Sequence, residues 1–431
     1  MFKKKLFLSL ILTLTLIMML AACGPQRDEE VTPGDTSEPG DTSEPVAEGE
    51  GPEKPEQLTM WVNDEESQLN AYEEITDRYT EETGIAVNIV PFSMLDQTEA
   101  LSLDGPAGRG PDLFFQPHDR LGDVYLQGLA AELELTEEQL LGYPEGALDA
   151  FSFEGQLLGV PAVIETYGLF YNTELVPEAP QTMDELMEIA ANLTNAGQDE
   201  YGFLMEATNF YFTYPFLTAE GGYVFGTDAD GALQADDIGL AKDEVVSGAE
   251  MIQSWFENGY IPRGITGDVM NGLFQDGKVG AVVTGPWSIP DYQAALGDNL
   301  AVTTLPTVNG EHLNSFSGVK GWLVSEYSDN KYWATDLALF ITSAESTLTY
   351  FETAGELPAR TDVELDDELR AGILEQSEHA VAMPNIPEMS QVWDPMADAL
   401  EFISQGEYPT EILEEAVQQI EEQINLTRAG Q

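Results

Sequence analysis

Residues 111–123, Pro-Asp-Leu-Phe-Phe-Gln-Pro-His-Asp-Arg-Leu-Gly-Asp, constrain the fold of this chain more than any other stretch. The apolar run Leu113 to Phe115 stands between Pro111 and Pro117 and reads as a short buried strand that stops abruptly. His118, Asp119 and Arg120 then arrive at its carboxyl end, the edge of an open α/β sheet at which ligands bind. A carboxylate and a guanidinium suit hydrogen bonding to neutral hydroxyls as well as to ions. Two readings stand at this point: Asp119 and Arg120 face a crevice, or they pair with each other as a strand-end salt bridge.

The flanking pattern makes that strand the third of a set. Leu58 to Val62 reads as the first, with Glu65 and Glu66 beyond its carboxyl end. Leu69, Tyr72, Ile75 and Tyr79 follow at helical spacing, with Ser67 as N-cap and Gly84 as stop, and Ile85 to Val90 is the second strand. These are βαβ units, and they predict an α/β fold with mostly parallel sheets. Further on, Leu158 to Ile164 and Gly168 to Asn172 are apolar and extended, with Glu165 between them. An unpaired buried carboxylate is costly, so Glu165 needs a partner or a crevice. Five rings occupy seven positions from Phe210 to Phe216, more than one helix face buries, so some of them face a cleft or a partner. The stretch from Gly221 to Asp237 reads as a surface loop. Val279 to Thr284 is a strand, and Pro286 opens a helix whose first turn holds Trp287, either beside the crevice or capping the core. Val319 to Val324 is another strand, Tyr332 to Phe351 carries helical spacing, and an amphipathic helix runs through Leu413, Ala416, Ile420 and Ile424.

The amino-terminal segment stands apart from this pattern. Lys3 to Lys5, an apolar run from Leu6 to Leu20 and the small residues before Cys23 read as an export signal over residues 1–22. Leu20-Ala-Ala-Cys23 resembles a bacterial lipobox, which implies diacylation of Cys23 and anchoring on a membrane surface without a spanning helix. Cys23 is the only cysteine, so no intramolecular disulfide is available, and its acylation would leave no cysteine nucleophile. Residues 23–56, with Pro-Gly-Asp-Thr-Ser-Glu repeated at 33 and 39, have too little apolar surface to fold and read as a disordered acidic tether. The balance of 16 basic against 78 acidic side chains, a net charge of −62, excludes nucleic-acid partners and favours a monomer. Three scattered histidines, with no metal-ligand spacing, no Walker sequence and no dinucleotide fingerprint, predict neither metal nor cofactor.

Carboxylates (Glu65, Asp119, Glu165), one guanidinium (Arg120) and aromatic rings (Tyr211, Trp287, Trp393 among them) together form the chemistry of a carbohydrate site. Charged planar groups engage sugar hydroxyls and rings cover C–H faces. An exported binding protein uses such carboxylates as acceptors, a glycoside hydrolase uses two of them about one bond, and a surface adhesin shares the anchor and tether.

In order along residues 57–431, Gly110-Pro-Asp-Leu-Phe-Phe with His118-Asp-Arg120, Glu165 with Phe170-Tyr-Asn172, and Tyr211-Phe-Thr-Tyr-Pro215 resemble one family, the maltose/maltodextrin-binding proteins of ABC importers. Glu220-Gly-Gly-Tyr223, Gly285-Pro-Trp287, Leu305-Pro-Thr307 and Met383-Pro-Asn-Ile-Pro387 with Trp393 extend the resemblance. It implies a periplasmic-binding-protein-like fold of two lobes, 57–163 plus 309–366 and 164–308 plus 367–431, joined by crossing strands near Val163, Leu305 to Asn309 and Asp366. It implies a non-enzymatic lipoprotein on the extracellular face of the cell membrane that passes maltose or maltooligosaccharides to permease subunits by hinge closure. Asp119, Arg120 and Glu165 fall on positions that bond glucose hydroxyls, Tyr211, Trp287 and Trp393 on stacking positions, and Phe210 and Met383 on the groove wall. Three positions depart from the pattern: Glu65-Glu66 replaces an acidic-basic pair, Gln116 a tryptophan, and Asn209 stands near an expected acid. Glu65, Glu66 and Gln116 are therefore where ligand preference is expected to differ, with cyclodextrin or another oligosaccharide as the alternative ligand.

Self-repulsion of this magnitude is relieved by screening. Thermal unfolding is expected to move to higher temperature between low and molar NaCl, and an unchanged midpoint would refute a salt-adapted surface.

Overall fold

A computed structural model describes residues 51–430 apart from Asp230, Glu364 and Asp366. The signal, Cys23, almost all of the tether and the expected crossing at Asp366 lie outside the described residues. Strands β1 (Gln57–Val62) and β2 (Ala86–Pro91) pair in parallel, and β3 (Leu113–Pro117) runs parallel on the other side of β1. Every residue of β3 is buried. The helix Glu66–Thr83 joins β1 to β2, buries Tyr72, Ile75 and Tyr79 on one face, and ends at Gly84, whose φ of 78° is left-handed. Its N-cap is Glu65, not Ser67, because Glu65 is the last extended residue and its carbonyl already accepts from Leu69 N at 3.0 Å.

Eight further strands complete two sheets: β4 (Gly159–Glu165), β5 (Gly168–Asn172), β6 (Tyr201–Leu204), β7 (Val279–Thr284), β8 (Leu300–Thr303), β9 (Phe316–Val324), β10 (Leu357–Pro358) and β11 (Val381–Ala382). The larger sheet has the order β10-β4-β9-β3-β1-β2 with β11 on β9, and the smaller the order β8-β5-β7-β6. The α/β class is as expected, but the sheets are mixed and not mostly parallel. Strand β9 starts where β3 and β4 end, with Gly318 opposite Glu165 and Lys320 opposite Pro117, so it runs back antiparallel to both. Strand β5 is likewise antiparallel to both neighbours. Trp322, Tyr72 and Tyr79 anchor the core on the larger sheet, and Trp255, Phe203 and Phe170 that on the smaller.

Two other expectations change. The supposed loop before Asp237 contains an antiparallel pair, Phe225–Thr227 with Leu233–Ile238, whose acidic exposed residues hide its period. The single helix expected over Tyr332 to Phe351 is two, Lys331–Ile341 and Ala344–Ala354. Ser343 divides them, its hydroxyl capping the second by accepting from Ser346 N.

The chain leaves the larger sheet after Glu165, returns to it at Phe316, and touches it again at β11 after the helix Glu368–Ser377, which packs on β8. These passages are tied by a buried polar network. Thr166 Oγ1 lies 2.7 Å from Ser315 Oγ and donates to Phe316 O. Gln376 Nε2 donates to Leu313 O and Ser315 Oγ, while its Oε1 accepts from Leu305 N at 2.8 Å. Val381 N donates to Ser315 O. Replacing Gln376 strands several buried groups at once, and a stranded group costs about 1–3 kcal/mol. Gln376→Leu is expected to lower unfolding stability by at least that amount in urea titration; an unchanged midpoint would refute the network's role.

Candidate functional site

The carboxyl ends of β1, β3 and β4 open on a cleft of about 640 Å³, closed on the other side by elements of the smaller sheet. Larger-sheet elements place Glu65, Asp119, Arg120 and Glu165 in its wall. Met383, after β11, lies beside Glu165, and opposite them lie Phe210 and Tyr211 on the helix Phe210–Leu217, Trp287 after β7, and Trp393 opening the helix Trp393–Gln405. Nine of the eleven residues expected from sequence thus share one cavity.

The other two do not reach it. Gln116 is 1% exposed and points to the opposite face of β3 from Pro117, under the helix Met94–Asp104. There its amide donates to Met94 O at 2.6 Å and to Phe115 O, and accepts from Thr98 Oγ1. Period-2 alternation turns this side chain away from the cleft, so Gln116 supports the wall from behind. Glu66 is the first residue of its helix, and its side chain points into solvent beside Glu65. Partial desolvation at the cleft wall is the main reason the Glu65 carboxyl stands above its ordinary pKa, with Asp64 adding to the rise.

Asp119 is 3% exposed and accepts a hydrogen bond from Trp393 Nε1 at 3.1 Å, from across the cleft. Arg120 Nε is 3.7 Å from the same carboxylate, an ion pair too long for a hydrogen bond, and it has no hydrogen-bond partner among the described residues. The strand-end ion pair is therefore present but loose, and the hydrogen bond to this carboxylate comes from Trp393. His118 is structural. Its Nδ1 accepts from Val319 N and its Nε2 donates to Met383 O, both at 3.1 Å, which fixes the neutral tautomer; burial lowers its pKa accordingly.

Two glycines make the site by leaving room. A Cβ on Gly318 would stand 2.9 Å from a Glu165 carboxylate oxygen and 2.8 Å from the Met383 methyl. A Cβ on Gly285 would overlap the Trp287 ring, which folds back over it. Asn209, at the position where an acid was expected, lines the cleft and caps the aromatic helix by accepting from Tyr211 N. Tyr211 keeps its hydroxyl buried with no partner among the described residues.

Lys320 was missed from sequence. It lines the cleft from β9, is 2% exposed, and pairs with Glu165 Oε2 at 3.0 Å and with Glu356, which also accepts from Tyr350 OH and from Gln68 Nε2. The Trp287 ring lies across the cleft with its centroid 5.3 Å from Lys320 Nζ. Burial opposes the lysine's charge, yet the two carboxylates raise its pKa above the ordinary range. Burial raises Glu165, Lys320 offsets part of that rise, and Glu356 adds to it. The signal was available: a charge within Phe316 to Val324 is as anomalous as Glu165 in its own apolar run.

Residues 74–375 match a family model described as bacterial extracellular solute-binding protein. A galactooligosaccharide-binding protein of Bacillus subtilis (strain 168) is 30% identical, covering 96% of this chain and 96% of its own. A maltodextrin-binding protein of the same organism is 33% identical over 78% of this chain and 82% of its own. An extracellular solute-binding protein from Staphylococcus aureus, solved in complex with maltose, is 46% identical with a TM-score of 0.69, covering 87% of this chain and 99% of its own. With a cleft between two sheets and a family match over most of its length, this chain belongs to the bacterial extracellular solute-binding proteins.

Proposed function

We propose that the protein captures maltose and maltooligosaccharides outside the cell and passes them to the permease subunits of an ABC importer. The observation that carries this reading is the two-sided cleft. Hydrogen-bonding groups (Asp119, Arg120, Glu165) line the wall from the larger sheet, and aromatic faces (Tyr211, Trp287, Trp393) line the wall opposite. A pyranose offers hydroxyls at its rim and C–H bonds on its faces, so it fits between such walls. The solved maltose complex of the Staphylococcus aureus relative and the maltodextrin-binding relative support the same ligand class. The galactooligosaccharide-binding relative supports a second reading, in which another oligosaccharide fills the cleft.

The lobes in this reading are 57–163 plus 309–366 and 164–308 plus 367–431, and closure about the crossings is the signal to the permease. Cys23 carries the lipid anchor, residues 24–56 tether the domain to the extracellular face of the membrane, and the molecule works as a monomer. It is not an enzyme. Asp119 is held by an indole N–H and Glu165 by an ammonium, which suits acceptors and not a proton donor placed for hydrolysis.

A thermal-shift screen of maltose, maltotriose, longer maltodextrins, cyclodextrins and galactooligosaccharides tests this, because a ligand stabilises in proportion to the logarithm of its saturation. Maltooligosaccharides are expected to give the largest shifts; a larger shift with galactooligosaccharides would move the assignment to the second reading. Glu165 takes up its proton at higher pH than an ordinary carboxylate, so binding that uses its ionised form weakens as pH falls. The glucan shifts are accordingly expected to shrink as pH falls from neutrality, before the pH at which an ordinary carboxylate takes up its proton, in the wild type and to lose that dependence in Glu165→Gln.

Calorimetry separates wall from support. Trp287→Ala is expected to weaken maltotriose binding about tenfold or more, the order of magnitude of a lost stacking surface. Gln116→Ala is expected to lower the unfolding midpoint and leave the affinity of the folded protein nearly unchanged. The reverse order of affinities would refute the ranking.

A further inference from the structure

Lys320 is held unusually tightly for a lysine at the floor of a cleft. It lies on β9 diagonally across from Glu165, because Gly318 pairs with Glu165 and Lys320 with Val163. A register shift immediately after that pair leaves β4 one residue longer at Ala162, and such bulges re-aim side chains beside binding sites. Glu356, immediately before β10 and 0% exposed, takes a second N–H of the ammonium and is itself fixed by Tyr350 and Gln68. An ammonium has three donors. Two are used by Glu165 and Glu356, and the third has no hydrogen-bond partner among the described residues, with the Trp287 ring facing Nζ from across the cleft.

Beside this ammonium stand two more incomplete groups. Glu165 keeps an oxygen beyond the one paired with Lys320. The Tyr211 hydroxyl is buried without a partner, and Glu165 is the first of the charges that act on it. A donor, an acceptor and a hydroxyl that can serve as either thus converge on one space.

We infer that Lys320 is a ligand-binding residue that reads the hydroxyls of one sugar ring: a ring hydroxyl accepts from the third N–H of Lys320 while it or its neighbour donates to Glu165 or Tyr211. Glu356 is the positioning residue, acting on the ligand only through the ammonium it holds. This inference rests on the oligosaccharide reading above and names a specificity determinant within it. The physical reason for the clamp is entropic as well as electrostatic. A free lysine side chain loses rotamer freedom on binding, and one already fixed by two carboxylates has none left to lose. The carboxylates also keep the charge on the nitrogen, so the bond it offers is the stronger, charge-assisted kind.

The test is calorimetry of maltotriose and a panel of its monodeoxy analogues, run on the wild type, on the charge-balanced double variant Lys320→Met with Glu356→Gln, and on Glu356→Gln alone. The double variant is expected to bind maltotriose roughly ten- to a hundredfold more weakly, the range of one hydrogen bond to a charged group. That deficit should vanish for the analogue lacking the hydroxyl that Lys320 reads and persist for the others. Glu356→Gln should lose several-fold, with the deficit vanishing on the same analogue, and it carries the test alone if the double variant does not fold. A uniform deficit across the panel, or no deficit, overturns the inference and leaves the sugar assignment standing. A wild type that binds none of the glucans overturns the assignment itself, and the inference with it.

Discussion

The two sheets of this protein are held in relation to each other by a few buried polar groups where the chain passes between them. Ser315 is the centre of that arrangement. Its hydroxyl meets Thr166 from the first passage and Gln376 from the helix after β10, while its carbonyl accepts from Val381. Ser315, Thr166 and Gln376 are each at most 1% exposed, so the bonds among their side chains carry the cost of leaving a buried group unpaired if they break. The same region reaches the cleft. Tyr167, the next residue after Thr166, accepts from Phe316 N and donates to Tyr211 O at 2.6 Å, so the backbone beneath a wall ring is bonded to the crossing strands.

Against that neutral network, the larger sheet contains a charged one. Two buried carboxylates around one ammonium leave a net negative charge in an interior where ions are expensive. An apolar core of similar volume would be at least as stable, so stability does not explain the cluster. Its position does: Lys320 and Glu165 lie where β9 and β4 meet the cleft, and Glu356 lies behind them with Tyr350 and Gln68.

Much of this was legible in the sequence where an anomaly was local. A proline-bounded apolar run announced β3 and its strand-end residues, a carboxylate between two apolar runs announced Glu165, and Gly-Pro-Trp after a strand announced Trp287. What was not legible depended on partners far away along the chain. Lys320 itself stands out as a charge in an apolar run, but its partners do not: it lies 155 residues after Glu165 and 36 before Glu356, and no spacing rule joins them. Gln116 differs for another reason: the resemblance alone marks it, as the position of a family tryptophan, whereas alternation along β3 turns its side chain away from the cleft towards Met94 and Thr98. The antiparallel direction of β9 also escaped, because a strand's direction depends on which end of the sheet the chain re-enters.

Trp393 gives Asp119 a hydrogen bond from the opposite wall of the cleft. The indole thus occupies, within the protein itself, the role of a solute's hydroxyl. A buried carboxylate that waited empty would raise the free energy of the unoccupied state; this one is satisfied in advance. An arriving molecule does not gain the whole of a new bond at Asp119, only the difference between its own donor and the indole's, unless it uses the second oxygen. Selection at this carboxylate is therefore an exchange reaction, and a molecule with no donor to offer there leaves the indole in place.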